Sequence, residues 1–220
     1  MTEQEERGRT VVAAIERMLS SDEEIVGVVE NARRRASSPA DAAKLIVRRY
    51  ANASAVAGGM AAAPSMVPGW GALAALGTVT AEMVYLLKVE VEMCLALVSL
   101  FDMDLRNEQH RNVAFVLAAT TTHEATTGRN LFVDVTDAGM EAIWTYSPRE
   151  LWKLILSFFG KVAVHHLGQR AGLNVVRALP VVSVGVGAGV NYTLTRRAGR
   201  LAVMALDARQ STGVFVDHLS

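Results

Sequence analysis

The 220-residue chain is 51% apolar with only 6% aromatic residues, and it balances 22 Lys and Arg against 22 Asp and Glu. That length suits one large domain with an ample core, and the zero net charge excludes a global field that would gather nucleic acid or an anionic membrane, so any such binding must be local. The single Cys94 excludes an internal disulfide framework and a cysteine-based metal site, and its apolar surroundings suit a small hydrophobe in a cytoplasmic chain.

The first twenty residues are acidic and polar, with Glu3, Glu5 and Glu6, and carry no apolar core of a secretory or transit peptide. "SDEEIVGVVENARRR" opens with Ser21 and acids and closes on three arginines, the polarity that a helix dipole favours. "SSPADAAKLIVRRYANASAVAGG" places Ser38 as an N-cap, Pro39 at the first helical position and Asp41 three residues after the cap, which predicts a second helix. "PSMVPGWG" at 64–71 is a loop, because two prolines and two glycines cannot continue a helix. From Ala72 to Phe101 the pattern predicts one long helix whose only charges are Glu82, Lys88, Glu90 and Glu92, with Lys88 and Glu92 one turn apart and able to pair.

Further helices are predicted near 105–122 and 134–145, and "SPRELWKLILSFFGKVAVHHLGQRAG" repeats the capping device with Ser147, Pro148 and Glu150 before a stop at Gly172. The nearest approach to strand alternation is the short "LFVDV" at 131–135. The expected fold is therefore all-α, a single compact multi-helix domain with two long central apolar helices. Residues 1–37 form N-terminal helices, 38–210 the main helical domain and 211–220 a tail.

The greasiest windows are 51–87 and 179–195. Pro64, Pro68 and Glu82 break the first and arginines close the second, so neither supplies the roughly 20 apolar residues of a spanning helix. Gly185, Gly187 and Gly189 follow Pro180 and precede Asn191, without the strand and spacing of a dinucleotide fingerprint or the Lys-Ser/Thr pair of a P-loop. Read as a helix, Gly185 and Gly189 share a face with small neighbours and would admit a partner helix at close approach. Pro68 and Gly77 are spaced like Pro180 and Gly189, a faint internal echo.

The residues that could carry chemistry are few. His123-Glu124 and His165-His166 invite a metal, but no H-E-x-x-H is present and adjacent helical side chains diverge by about 100°, so surface or capping histidines are the plainer reading. No G-x-S-x-G elbow exists, and the threonines of "TTTHEATTG" suit local bonds to backbone. Glu82, Glu90 and Glu92 in an apolar helix need water or a partner, and a structural ion pair outweighs an acid–base pair. Three basic clusters, at Arg33 to Arg35, at Arg48 and Arg49, and at Arg196, Arg197 and Arg200, suit solvated helix ends or contact with anionic lipid headgroups or a partner. Scarce aromatics and the lack of a reader motif argue against nucleic acid.

"VPGWGALAALGTVTAEMVYLLKVEVEMCLALVSLFDMDL" followed by "LPVVSVGVGAGVNYTLTRRAGRLAVMALDAR" resembles the EcsC protein family over about residues 40–210. The likeness rests on Pro68-Gly69, Asp104-Leu105, the Gly185 to Asn191 stretch and Arg209. Trp70 stands where the family has a smaller residue, and Phe101-Asp102-Met103 where Tyr-Gly-Tyr is usual. The resemblance implies a bacterial helical protein whose founding member is encoded beside an ABC transporter. It brings no catalytic residues, and Pro180 to Asn191 carries over as a structural signature.

The expected function is a non-catalytic accessory protein, without cofactor, docked at the cytoplasmic membrane face or on a membrane complex. The competing expectations are a membrane-inserting effector acting through the 51–87 hairpin and a metal-dependent hydrolase built on His123, Glu124, His165 and His166. Homo-oligomer formation stays open.

Overall fold

The computed structural model describes residues 3–60, 81–127, 149–156, 159 and 180–212, and every regular element among the described residues is helical. In chain order these are α1 (Glu3–Met18), α2 (Asp22–Arg35), α3 (Pro39–Met60), α4 (Ala81–Leu100), α5 (Glu108–Thr127), α6 (149–156) and α7 (Pro180–Thr212). The all-α expectation holds. The expected helix at 134–145, the loop at 64–71 and the stop at Gly172 lie outside the described residues.

Local signals account for the helix ends. Ser21 and Glu24 close a reciprocal capping box, the Ser21 hydroxyl accepting from the Glu24 amide at 3.2 Å and the Glu24 carboxylate from the Ser21 amide at 3.0 Å. Ser38 accepts from the Asp41 amide at 3.2 Å ahead of Pro39. α4 ends in a Schellman turn, with the Asp102 amide donating to the Ser99 carbonyl at 3.1 Å and the Met103 amide to Val98 at 3.2 Å. The left-handed position of that turn is held by Asp102, at φ 61°, where glycine is the usual occupant. Asn107 then opens α5 by accepting from the Gln109 amide at 2.9 Å, and His110 Nδ1 lies 3.1 Å from the Asp104 carbonyl, a capping histidine.

Packing is organised around α4, which is buried at every position from Val89 to Val98. α2 presents Ile25, Val29 and Ala32 to it, and α3 adds Ala42, Ala43, Ile46, Val47 and Tyr50. α5 is buried from Asn112 to Thr121, and its Phe115 meets Phe159 edge to face at 6.4 Å. Thr120 and Thr121 turn their hydroxyls back onto the Val116 and Leu117 carbonyls at 2.8 and 2.7 Å, the local bonding expected of that threonine run. Cys94 is fully buried, and burial pushes its thiol well above the ordinary range, as befits a core hydrophobe.

At 33 residues α7 is roughly 50 Å long, and it packs on α3, α4 and α5. Its inward face carries Thr195, Ala198, Gly199, Ala202, Ala205 and Leu206, while Gly189, Thr193, Arg196, Arg200 and Met204 form an outward stripe. Two glycines mark close approaches. A Cβ on Gly199 would lie 2.7 Å from both Val47 methyls, and one on Gly8 would lie 2.0 Å from the Leu156 carbonyl oxygen, so α1 meets α6 backbone to backbone.

The close approach expected at Gly189 is not found among the described residues: none of them lies within 4 Å of a Cβ built on it. The reason is the helical period, which puts Gly189 on the same face as Arg196 and Arg200, and guanidiniums hold that face in water. The surroundings of Gly185 and Gly187 lie outside the described residues.

Candidate functional site

A groove of about 900 Å³ opens between α2, α3 and the first half of α4. Two clusters that are separate in sequence meet there, because Arg35 at the end of α2 and Arg48 and Arg49 on α3 line the same wall set, and Lys88 of α4 joins them. Apolar side chains, among them Val28, Leu45 and Val89, complete the lining.

Lys88 and Glu92 are nearly buried, at 16% and 6% side-chain exposure, and pair at 2.9 Å as their spacing predicts. The second Glu92 oxygen accepts from the Ser20 amide at 2.7 Å, so one carboxylate ties the α1–α2 junction to α4. The Lys88 ammonium also lies 5.8 Å from the centre of the Tyr85 ring. Tyr50, buried beside the groove, has its phenol pushed above the ordinary range, first by burial and then by the Glu92 charge. The other carboxylate of the lining, Glu24, is held in the α2 capping box. No ion pair engages Arg35, Arg48 or Arg49 among the described residues.

The remaining basic residues divide. Arg33 donates to the Leu100 carbonyl at 2.8 Å and to Asp102 at 2.6 Å, Arg34 faces Glu30 at 3.9 Å, and Arg111 pairs with Asp22 at 2.8 Å, so these serve the fold. Arg209 is partly buried against the Met103 sulfur. Arg196 and Arg200 are exposed and one turn apart on α7, with Arg196 stacked 5.7 Å over the Tyr192 ring and Arg197 half-buried beside them. They belong to a different surface from the groove.

Of the signature residues, Pro180 opens α7 and Asn191 contributes its backbone, whose carbonyl lies 3.2 Å from the buried Ser54 hydroxyl of α3. Pro68, Gly69 and Gly77 lie outside the described residues, as do His165, His166 and the side chains of His123 and Glu124 on α5. Among the described residues no group of three His, Cys, Asp or Glu is placed to hold a metal ion, and no described helix is long and apolar enough to cross a membrane.

The charges are unevenly distributed along the chain. Residues 151–220 hold eight Lys and Arg against two acids, residues 1–150 hold 14 against 20, and no acid occurs from Leu151 to Leu206. The neutral total conceals two opposed halves. No family model, curated protein or solved structure matches the chain.

Proposed function

We propose that the chain is a non-catalytic helical accessory protein of the EcsC type, which associates peripherally with the cytoplasmic face of a membrane or with a membrane complex such as a transporter. The observation that carries this reading is the acid-free stretch from Leu151 to Leu206, whose described part exposes Arg196 and Arg200 on one outward stripe of α7. Arg196 and Arg200, which have no ion-pair partner among the described residues, are drawn to anionic headgroups, each basic residue near the surface contributing about 1 kcal/mol. The helices then supply a scaffold for docking, with bound lipid or partner, and no reaction is required of them.

Vesicle flotation tests the reading. The full chain is expected to float with vesicles of phosphatidylcholine plus phosphatidylglycerol and to stay behind with phosphatidylcholine alone. Arg196→Gln with Arg200→Gln should weaken flotation by about tenfold or more, since two such contacts are worth about 2 kcal/mol. Equal flotation on neutral vesicles, or none on anionic ones, would overturn it.

A further inference from the structure

We infer that the groove between α2, α3 and α4 is a binding site for a phosphate monoester. The inference goes beyond membrane association, since it concerns a different surface and a ligand that can be soluble.

The first support is electrostatic. Arg35, Arg48, Arg49 and Lys88 converge from three helices on one cavity of about 900 Å³. They do so within residues 1–150, where acids outnumber bases by 20 to 14, so the local excess runs against the surrounding composition. The two carboxylates in the lining are both engaged: Glu92 accepts from Lys88 at 2.9 Å and from the Ser20 amide at 2.7 Å, and Glu24 from the Ser21 amide at 3.0 Å. Three arginines of the lining are therefore without an ion-pair partner among the described residues. Like charges gathered in a recess repel, and a dianion is what relieves them.

The second support is the chemistry of the donors. Guanidinium is a planar fork that matches phosphate oxygens two at a time, whereas a carboxylate offers only one edge and one charge for three such forks. A phosphate monoester carries about −1.5 to −2 charge near neutral pH and three terminal oxygens, enough to engage several arginines together. The groove also supplies neutral donors in Asn31 and Asn52. The third support is the mixed lining. Val28, Leu45, Ala53 and Val89 provide an apolar strip beside the cations, which inorganic phosphate would leave uncovered and the organic part of an ester would use.

Isothermal titration of the full chain tests this with three probes: glycerol 3-phosphate, short-chain dihexanoyl phosphatidic acid and, as a carboxylate control, hexanoate. Saturable binding of a phosphate probe is expected, weakened at least about tenfold by Arg48→Gln with Arg49→Gln and unchanged by Arg196→Gln with Arg200→Gln. Both arginines of α3 are exposed, so the variant should melt like its parent by circular dichroism.

Equal affinity for the two phosphate probes would assign a soluble ligand, and much tighter binding of phosphatidic acid a lipid one; either supports the site. Binding of neither, hexanoate binding as tightly, or a folded Arg48→Gln, Arg49→Gln chain that binds like its parent would overturn it. Flotation reads the α7 arginines and titration the groove, so one result can fail while the other stands.

Discussion

Gly199 of α7 lies so close to Val47 of α3 that a methyl group on the glycine would sit 2.7 Å from both valine methyls. A valine in a helix is nearly fixed at χ1 and cannot swing aside. Gly199→Ala should therefore destabilise the fold by about 1–3 kcal/mol, the usual cost of overfilling a packed seam. Urea unfolding checks it, and Val47→Ala in the same chain should restore part of the loss. A Gly199→Ala protein with an unchanged midpoint would mean that α3 and α7 are not in close contact.

Gly189 behaves in the opposite way. It is helical, exposed and, among the described residues, without a neighbour within 4 Å of a Cβ position, so Gly189→Ala removes only the backbone freedom of glycine. The expected result is a gain of about 0.5–1 kcal/mol, read as a higher thermal midpoint. A loss instead would place a neighbour against that face.

The nearly buried Lys88–Glu92 pair makes an asymmetric prediction. Lys88→Met leaves the Glu92 carboxylate with only the Ser20 amide and should cost about 3 kcal/mol or more. Removing both charges with Lys88→Met and Glu92→Leu should cost clearly less than the two single changes added together. A double-mutant cycle by chemical denaturation measures the difference, and strict additivity would sink the pairing.

Asp102 occupies the left-handed corner after α4 at φ 61° and pairs directly with Arg33 at 2.6 Å, at 80% and 48% side-chain exposure. An exposed pair contributes about 0.2–1 kcal/mol, comparable to the strain that glycine would relieve. Asp102→Gly should therefore be at least as stable as the parent, particularly because Arg33 keeps its bond to the Leu100 carbonyl. Asp102→Val should lose about 1 kcal/mol or more, which thermal unfolding of the pair of variants would reveal.

Asp41 gives a pH prediction. Hydrogen bonds from Ser37, Lys44 and Ser38 lower its carboxyl from the ordinary 3.8 to about 2. A folded pKa below the unfolded one stabilises above the unfolded value and is lost as pH falls through the folded one, so the first turn of α3 should loosen between about pH 4 and 2. NMR titration of the Asp41 side chain should show the depressed midpoint, and Ser37→Ala should raise it.

What could be read in advance was what is local. The Ser21 and Ser38 caps and the Lys88–Glu92 pair depend on partners three or four residues away, and the helical period alone brings these together. The groove depends on the register between helices: Arg35 and Arg48 meet only once α2 and α3 have folded against α4. The glycines show both sides. Spacing shows that Gly185 and Gly189 share a face but not which way it points, whereas the exposed Arg196 and Arg200 give that direction. Gly199, with Ala198, Ala202 and Ala205 around it, was the small-residue seam, and arginines on either side in the sequence disguised it.

The position of α7 also bears on how the chain is made. Its main partner α3 ends at Met60, so contacts such as Val47 with Gly199 close a loop of some 150 residues. On a ribosome, α3, α4 and α5 emerge with the apolar faces that α7 will cover still open to water. Such distant pairing slows folding and leaves sticky intermediates, so chains halted before α7 should be ready clients for holdase chaperones, and release should coincide with the arrival of Ala198 to Leu206.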